Sequence, residues 1–180
     1  MSLSVAQLGQ PVLRTVAQEI EPESIDDPAF QIFIDQMIET MKSSRGVGLA
    51  APQVFASRRL FIADVLPPAQ RGERPRTEVF INPKLSDLSE EREAAWEGCL
   101  SFIELLVLVP RHRGLRVDYL NRKGKQASLI LSGFPARDVQ HEYDHLDGVL
   151  TIDRATSTRN IIKASEIDAV EDHPDGRDSD

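Results

Sequence analysis

Residues 140–146 read Gln140-His141-Glu142-Tyr143-Asp144-His145-Leu146, an HExxH arrangement whose two imidazoles leave one helix face about 6 Å apart. Neutral imidazole is a good ligand for divalent first-row metals, and a thiolate adds a soft donor. The chain's one cysteine, Cys99, lies far upstream and is the candidate third ligand. Three protein ligands leave a fourth position for water, as in catalytic rather than structural sites. A cation there brings the pKa of water down to about 7, and Glu142 is placed to take its proton and later return it to a leaving amine. HExxH alone also occurs by chance, and a lone cysteine is often a small buried hydrophobe.

The elements that must position these groups follow from periodicity. Asp27-Pro28 reads as an N-cap and first helical residue, and Phe30, Phe33, Ile34, Met37, Ile38 and Met41 recur at helical spacing, which predicts an amphipathic helix to about Lys42. Arg45-Gly46-Val47-Gly48 breaks it and leads into a small, apolar run to Gln53. Strands are expected at 59–65 and 79–82, separated by Pro67-Pro68 and a solvated loop carrying Arg71, Arg74 and Arg76. Residues 105–109 read as a buried strand ending at Pro110. Leu115, Val117 and Tyr119 alternate, and with a turn at 121–124 and a strand through Leu131 they make a meander. A second helix opens near Ser132 to Pro135, carries HExxH and stops at Gly148.

The 180 residues, 41% hydrophobic, fit a single catalytic domain over 1–167, followed by an acidic tail over 168–180 that is expected to be disordered. A net charge of −8 argues against unaided binding to nucleic acid or anionic membrane. No apolar run approaches the roughly 20 residues of a membrane span, and the first residues lack the basic start and apolar stretch of a secretory signal. A single cysteine excludes an intrachain disulfide and suits a reducing compartment, so a soluble, cytoplasmic protein is expected.

Three segments, Gly46-Val47-Gly48-Leu49-Ala50-Ala51-Pro52-Gln53, Glu97-Gly98-Cys99-Leu100-Ser101 and 140–148, resemble the signature motifs of the peptide deformylase family, in order and at suitable spacing. The similarity runs from roughly residue 5 to residue 155 and takes in Ile81-Asn82-Pro83 and Val109-Pro110-Arg111. The resemblance implies an α+β fold, with mixed, mainly antiparallel β-sheets packed around a central metal-binding α-helix. It implies hydrolysis of the N-formyl group from the formyl-methionine of nascent polypeptides. One divalent ion, Fe2+ natively, with Zn2+, Ni2+ or Co2+ as substitutes, would be held by Cys99, His141 and His145. Glu142 would carry protons, and the Gln53 side-chain amide and the Leu100 backbone N–H would face the developing oxyanion. Gly46, Val47, Gly48, Glu97 and Asp138 are the expected substrate-binding residues, the two glycines allowing close backbone approach, with the peptide pairing along a strand edge. Formylated nascent peptides, and transiently the ribosome, are the implied partners.

Two positions depart from the family pattern. Leu106 stands where many members carry a substrate-holding arginine. Asp138 shares a helix face with His141 where relatives place an apolar residue; it either turns outward or joins the pocket wall, paired with Arg137 or Arg111. These departures leave open a relative with altered substrate preference or weak activity. A further alternative is an HExxH metallopeptidase whose third ligand is a downstream acid such as Glu166. Tyr143 and Asp144 are expected to be exposed or to lie behind the ligands, and His112 and His173 to be surface residues.

Overall fold

The computed structural model describes residues 2–66 and 75–171. Helix α1 (Pro28–Ser43) begins as its sequence dictates: the Asp27 carboxylate accepts from the Ala29 N–H at 2.8 Å, and Pro28 occupies the first turn, where a missing N–H costs nothing. Its stripe Phe30, Ile34, Met37 and Met41 is buried. Helix α2 (Phe134–Leu146) carries the HExxH residues, and α3 spans Ile167–Glu171.

Among the described residues, eight strands form two sheets. β1 (Gly48–Ala50), β2 (Leu60–Leu66), β3 (Arg76–Ser86), β6 (Gly114–Leu120) and β7 (Gln126–Ser132) make an antiparallel sheet in the order β1-β2-β3-β6-β7. β4 (Arg92–Gly98), β5 (Leu105–His112) and β8 (Ile161–Lys163) make the second, in the order β4-β5-β8. This is the α+β arrangement the motifs imply, with α2 between the sheets.

Strand pleating explains why β2 reads as a near-continuous apolar run. Phe61, Ala63 and Val65 join Phe80, Val117, Leu131, Ala136 and Val139 in a core against α2, while Leu60 and Ile62 join Ile34, Met37, Met41, Val79 and Ile81 beneath α1. The five-stranded sheet is therefore covered on both faces. A third core, with Leu13, Cys99, Phe102, Val107, Val109 and Leu150, lies on the smaller sheet.

Several expectations change in detail. β5 does not stop at Pro110 but continues to His112, because β8 pairs only with residues 105–107 and Pro110 has a single neighbour, Ala94. The meander is reduced to the β6–β7 hairpin, since β5 belongs to the other sheet and β6 pairs with β3. β4, absent from the sequence reading, brings Gly98 and Cys99 to the site. In β3 the register shifts between Ile81 and Lys84, and there Asn82, at φ 49°, exchanges side-chain hydrogen bonds with the Ile20 backbone at 2.9 and 2.8 Å. The bulge places Pro83 where no ladder donor is needed. Of the expected arginine loop, Arg76 opens β3, whereas Arg71 and Arg74 lie outside the described residues. Of the expected tail, residues 168–171 are helical and 172–180 lie outside the described residues.

Candidate metal centre and active site

α2 starts after Gly133, takes Pro135 in its first turn, and ends before Gly148, whose φ of 71° suits glycine. A Cβ at Gly148 would meet the Arg14 carbonyl carbon and oxygen at 2.8 Å, so space as well as torsion excludes a side chain there. The helix presents His141 and His145 one turn apart, their ring centroids separated by 5.1 Å. Cys99, just past β4, points its thiol at them: His145 Nε2 is 3.4 Å from Cys99 Sγ, and one ligand atom from each of Cys99, His141 and His145 falls within 4.8 Å of the others. Donors around a tetrahedral ion with bonds of about 2.0–2.3 Å stand about 3.4–3.7 Å apart, which the Cys99–His145 separation matches, and the three together are a set that could hold one cation. All three residues are buried.

Protonation is arranged by surroundings. The Glu97 carboxylate accepts from Arg111 Nε at 2.8 Å, Arg111 Nη2 at 2.9 Å, Arg137 Nη1 at 2.7 Å and His141 Nδ1 at 3.0 Å. Burial works against its charge, but the His141 and Arg111 hydrogen bonds outweigh it and hold Glu97 at about 2. With Nδ1 committed as a donor, the His141 Nε2 is left as the nitrogen that would face a metal. Burial, followed by the charges of His141 and Arg111, keeps the His145 imidazole well below its usual range and hence neutral, and its Nδ1 has no partner among the described residues. Burial pushes the Cys99 thiol up to about 12, reinforced by the Glu142 and Glu97 charges although the Ser101 backbone N–H pulls the other way. A cation is what can make that thiol a thiolate near neutrality.

Glu142 is 4% exposed, and its Oε2 has no hydrogen-bond partner among the described residues. Burial first, then the Asp138 charge, raise its proton affinity well above an ordinary carboxylate's. A Cβ at Gly48 would sit 2.5 Å from Glu142 Oε1, so the bare backbone of β1 makes room for this carboxylate. Gly46 likewise makes room for the Leu100 side chain, which a Cβ there would meet at 2.9 Å. The glycines expected to admit substrate thus first admit site side chains.

These groups line a cavity of about 270 Å³ together with Arg45, Val47, Gln53, Gly98, Leu100, Ile103 and Asp138. Gln53 lies in a 3-10 turn (Ala51–Val54); its Oε1 accepts from the Ala50 N–H at 2.9 Å, and its Nε2 reaches Ser101 Oγ at 3.2 Å and Cys99 Sγ at 3.5 Å.

Of the residues expected to bind substrate, Gly46, Val47, Gly48 and Asp138 line the cavity. Glu97 does not; both its oxygens are consumed by the arginines and His141, which makes it an orienting group. Asp138 does not turn outward, being 7% exposed, and neither Arg137 nor Arg111 hydrogen-bonds to it. Leu106 faces Gly98 across the β4–β5 ladder rather than the cavity, and the cation at the rim is Arg45. Glu166 is exposed, bonded to Ser165 Oγ, and outside the ligand cluster, so the metallopeptidase alternative lacks its ligand.

Sequence reasoning assigned no role to Arg154 and offered Arg111 only as a partner for Asp138. Arg111 Nη1 donates to Asp144 at 2.7 Å, and Arg154 donates to both Asp144 oxygens, so Asp144 lies behind the ligands. A buried arginine in an otherwise apolar strand was the available signal, because such a charge demands carboxylate partners. His112 is half-buried, its Nδ1 2.5 Å from the Ser89 carbonyl, while His173 lies outside the described residues.

An HExxH helix set against a cysteine thiol and a buried glutamate, at the base of a cavity in an α+β scaffold, defines a metal-dependent hydrolase. The chain belongs to the polypeptide deformylase family, whose model, described as polypeptide deformylase, matches residues 2–160. Peptide deformylase 2 of Nostoc sp. strain PCC 7120 is 44% identical over 166 residues, covering 91% of this chain and 92% of the relative. The crystal structure of the Thermotoga maritima peptide deformylase superposes with a TM-score of 0.79 at 40% identity, covering 87% of this chain and 99% of that one. The Met-Ala-Ser-bound class I type b enzyme of Acinetobacter baumannii gives a TM-score of 0.79 at 34% identity, with 86% and 98% coverage.

Proposed function

We propose that this protein is a peptide deformylase that removes the formyl group from the N-terminal formyl-methionine of nascent polypeptides, using one divalent cation held by Cys99, His141 and His145. The observation that carries this reading is the convergence of one thiol and two imidazoles within 4.8 Å, next to a buried glutamate. A cation held there would supply Lewis-acid polarisation of the formyl carbonyl and a lowered pKa for the attacking water.

The residues supply the rest. Glu142, desolvated and without a competing donor, takes a proton from the attacking water and delivers it to the amine that leaves. Gln53, clamped by Ala50 and Ser101, aims its amide nitrogen at the Cys99 side of the cavity, where with the Leu100 N–H it meets the developing negative oxygen. Glu97 fixes the His141 tautomer. β1, an edge strand at the rim of the cavity, offers backbone groups to an extended peptide.

Iron(II) is the proposed native ion, with zinc, nickel or cobalt as substitutes, since mixed sulfur and nitrogen ligation suits each. A cytoplasmic location and passing encounters with ribosomes, where formylated chains emerge, complete the proposal. No helix among the described residues is long and apolar enough to cross a membrane.

Anaerobic purification, metal analysis and a formyl-Met-Ala-Ser assay test this reading. Turnover lost in Glu142→Ala with metal retained, metal lost in Cys99→Ser, and neither changed in Glu166→Ala is the expected pattern. An iron-loaded protein that leaves formyl-Met-Ala-Ser intact refutes it.

A further inference from the structure

Asp138 stands one helical turn before His141, 7% exposed, in the wall of the same cavity as Val47, Leu100 and Ile103. Its Oδ2 is buried with no hydrogen-bond partner among the described residues. The nearby guanidinium groups are committed: Arg111 to Glu97 and Asp144, and Arg137 to Glu97 and the Val109 and Glu93 carbonyls. A buried carboxylate without a donor costs several kcal/mol, and a cavity wall is where a ligand can make good that deficit. An apolar first side chain, methionine included, fills the space but leaves the oxygen unpaired. A side chain of the same length ending in N–H fills the space and pairs it.

We propose that Asp138 reads the first side chain of the substrate, so that the cavity takes N-formyl peptides whose first side chain ends in a hydrogen-bond donor as readily as those beginning with methionine. The inference rests on the deformylase reading above and extends its substrate class. Glutamine is the informative probe, because it matches methionine and norleucine in length and differs at the tip.

The experiment compares kcat/KM for formyl-Met-Ala-Ser, formyl-norleucyl-Ala-Ser and formyl-Gln-Ala-Ser in the metal-loaded parent and in Asp138→Val. The parent is expected to process the glutamine and norleucine peptides within about tenfold of each other, and Asp138→Val to move that ratio by about tenfold or more toward norleucine. A ratio that moves by less than about twofold, with formyl-Met-Ala-Ser still processed, overturns the Asp138 assignment and leaves the deformylase reading standing. No turnover of formyl-Met-Ala-Ser by the loaded parent overturns both. Should Asp138→Val fail to fold, calorimetry of the parent with the products Gln-Ala-Ser and norleucyl-Ala-Ser decides. Comparable affinities support the assignment, and norleucyl binding tighter by more than about tenfold overturns it.

Discussion

Gly48 and Asp138 both bear on Glu142, one through space and the other through charge. In Gly48→Ala the new methyl carbon would enter the space of Glu142, whose Oε1, Cδ and Cγ lie 2.5–2.8 Å from it. The ligands themselves are untouched, so metal content stays at the parent level while kcat falls by about 10²-fold, as expected when a proton-transfer group is displaced. Metal analysis beside turnover checks it; parallel loss of metal and rate contradicts it. Asp138 is held at about 7, by burial first and then by the Asp64 and Glu97 charges, with Arg111 opposing. Its folded value exceeds the unfolded value of about 3.9, so its contribution to stability is fully present below about pH 4 and is lost as pH rises through about 7. Asp138→Val removes that loss. Urea midpoints at pH 5 and pH 8 should converge in the variant relative to the parent, with the variant the more stable at pH 8 by on the order of 2 kcal/mol. Identical pH dependence in both proteins contradicts this account.

At the scale of elements, the site is a junction between α2 and the β4–β5 ladder, closed by charges that no local pattern displays. Helix α1, the β6–β7 hairpin and the HExxH helix were legible because periodicity and turn residues are local, and Cys99 was legible through its flanking motif. β4 was not: Arg92-Glu93-Ala94-Ala95-Trp96 lacks apolar alternation because the strand is exposed over Arg92–Ala94 and buries mainly Glu97. The role of Glu97 was illegible for the same reason, since its donors come from β5 and α2, fourteen residues and more away in sequence. Glu97→Gln keeps the volume and removes the charge, leaving two buried guanidinium groups short of a carboxylate. A stability loss of about 3 kcal/mol follows from breaking such a buried pair, and metal affinity should fall by about 10–100-fold because His141 loses the charged carboxylate that fixes its tautomer and raises its basicity. Denaturant midpoints and competition with a fluorescent chelator measure the two effects. Unchanged metal affinity would reduce Glu97 to a packing role.

On the scale of the whole molecule, the three candidate ligands belong to different bodies of structure. Cys99 directly follows a strand of the three-stranded sheet, while His141 and His145 ride on a helix packed against the five-stranded one. A cation that binds all three therefore ties the sheets together, and because the unfolded chain lacks the assembled site, loading stabilises the native state by mass action. At free metal about 1,000 times the dissociation constant the gain is about 4.1 kcal/mol, or a rise in Tm of about 8–16 °C for a chain of this size. Since the Cys99 thiol is pushed up to about 12, loading must expel its proton. The gain should shrink as pH falls, with apparent affinity dropping about tenfold per unit for each proton released. Thermal melts of chelator-stripped and reloaded protein at pH 6, 7 and 8, with proton release followed in weak buffer, test the coupling. In Cys99→Ser the difference between stripped and reloaded melts should largely vanish and proton release should cease. Equal Tm values for the stripped and loaded parent, or loading without proton release, would mean that the thiol and imidazoles do not share one ion and that the two sheets are joined by packing alone.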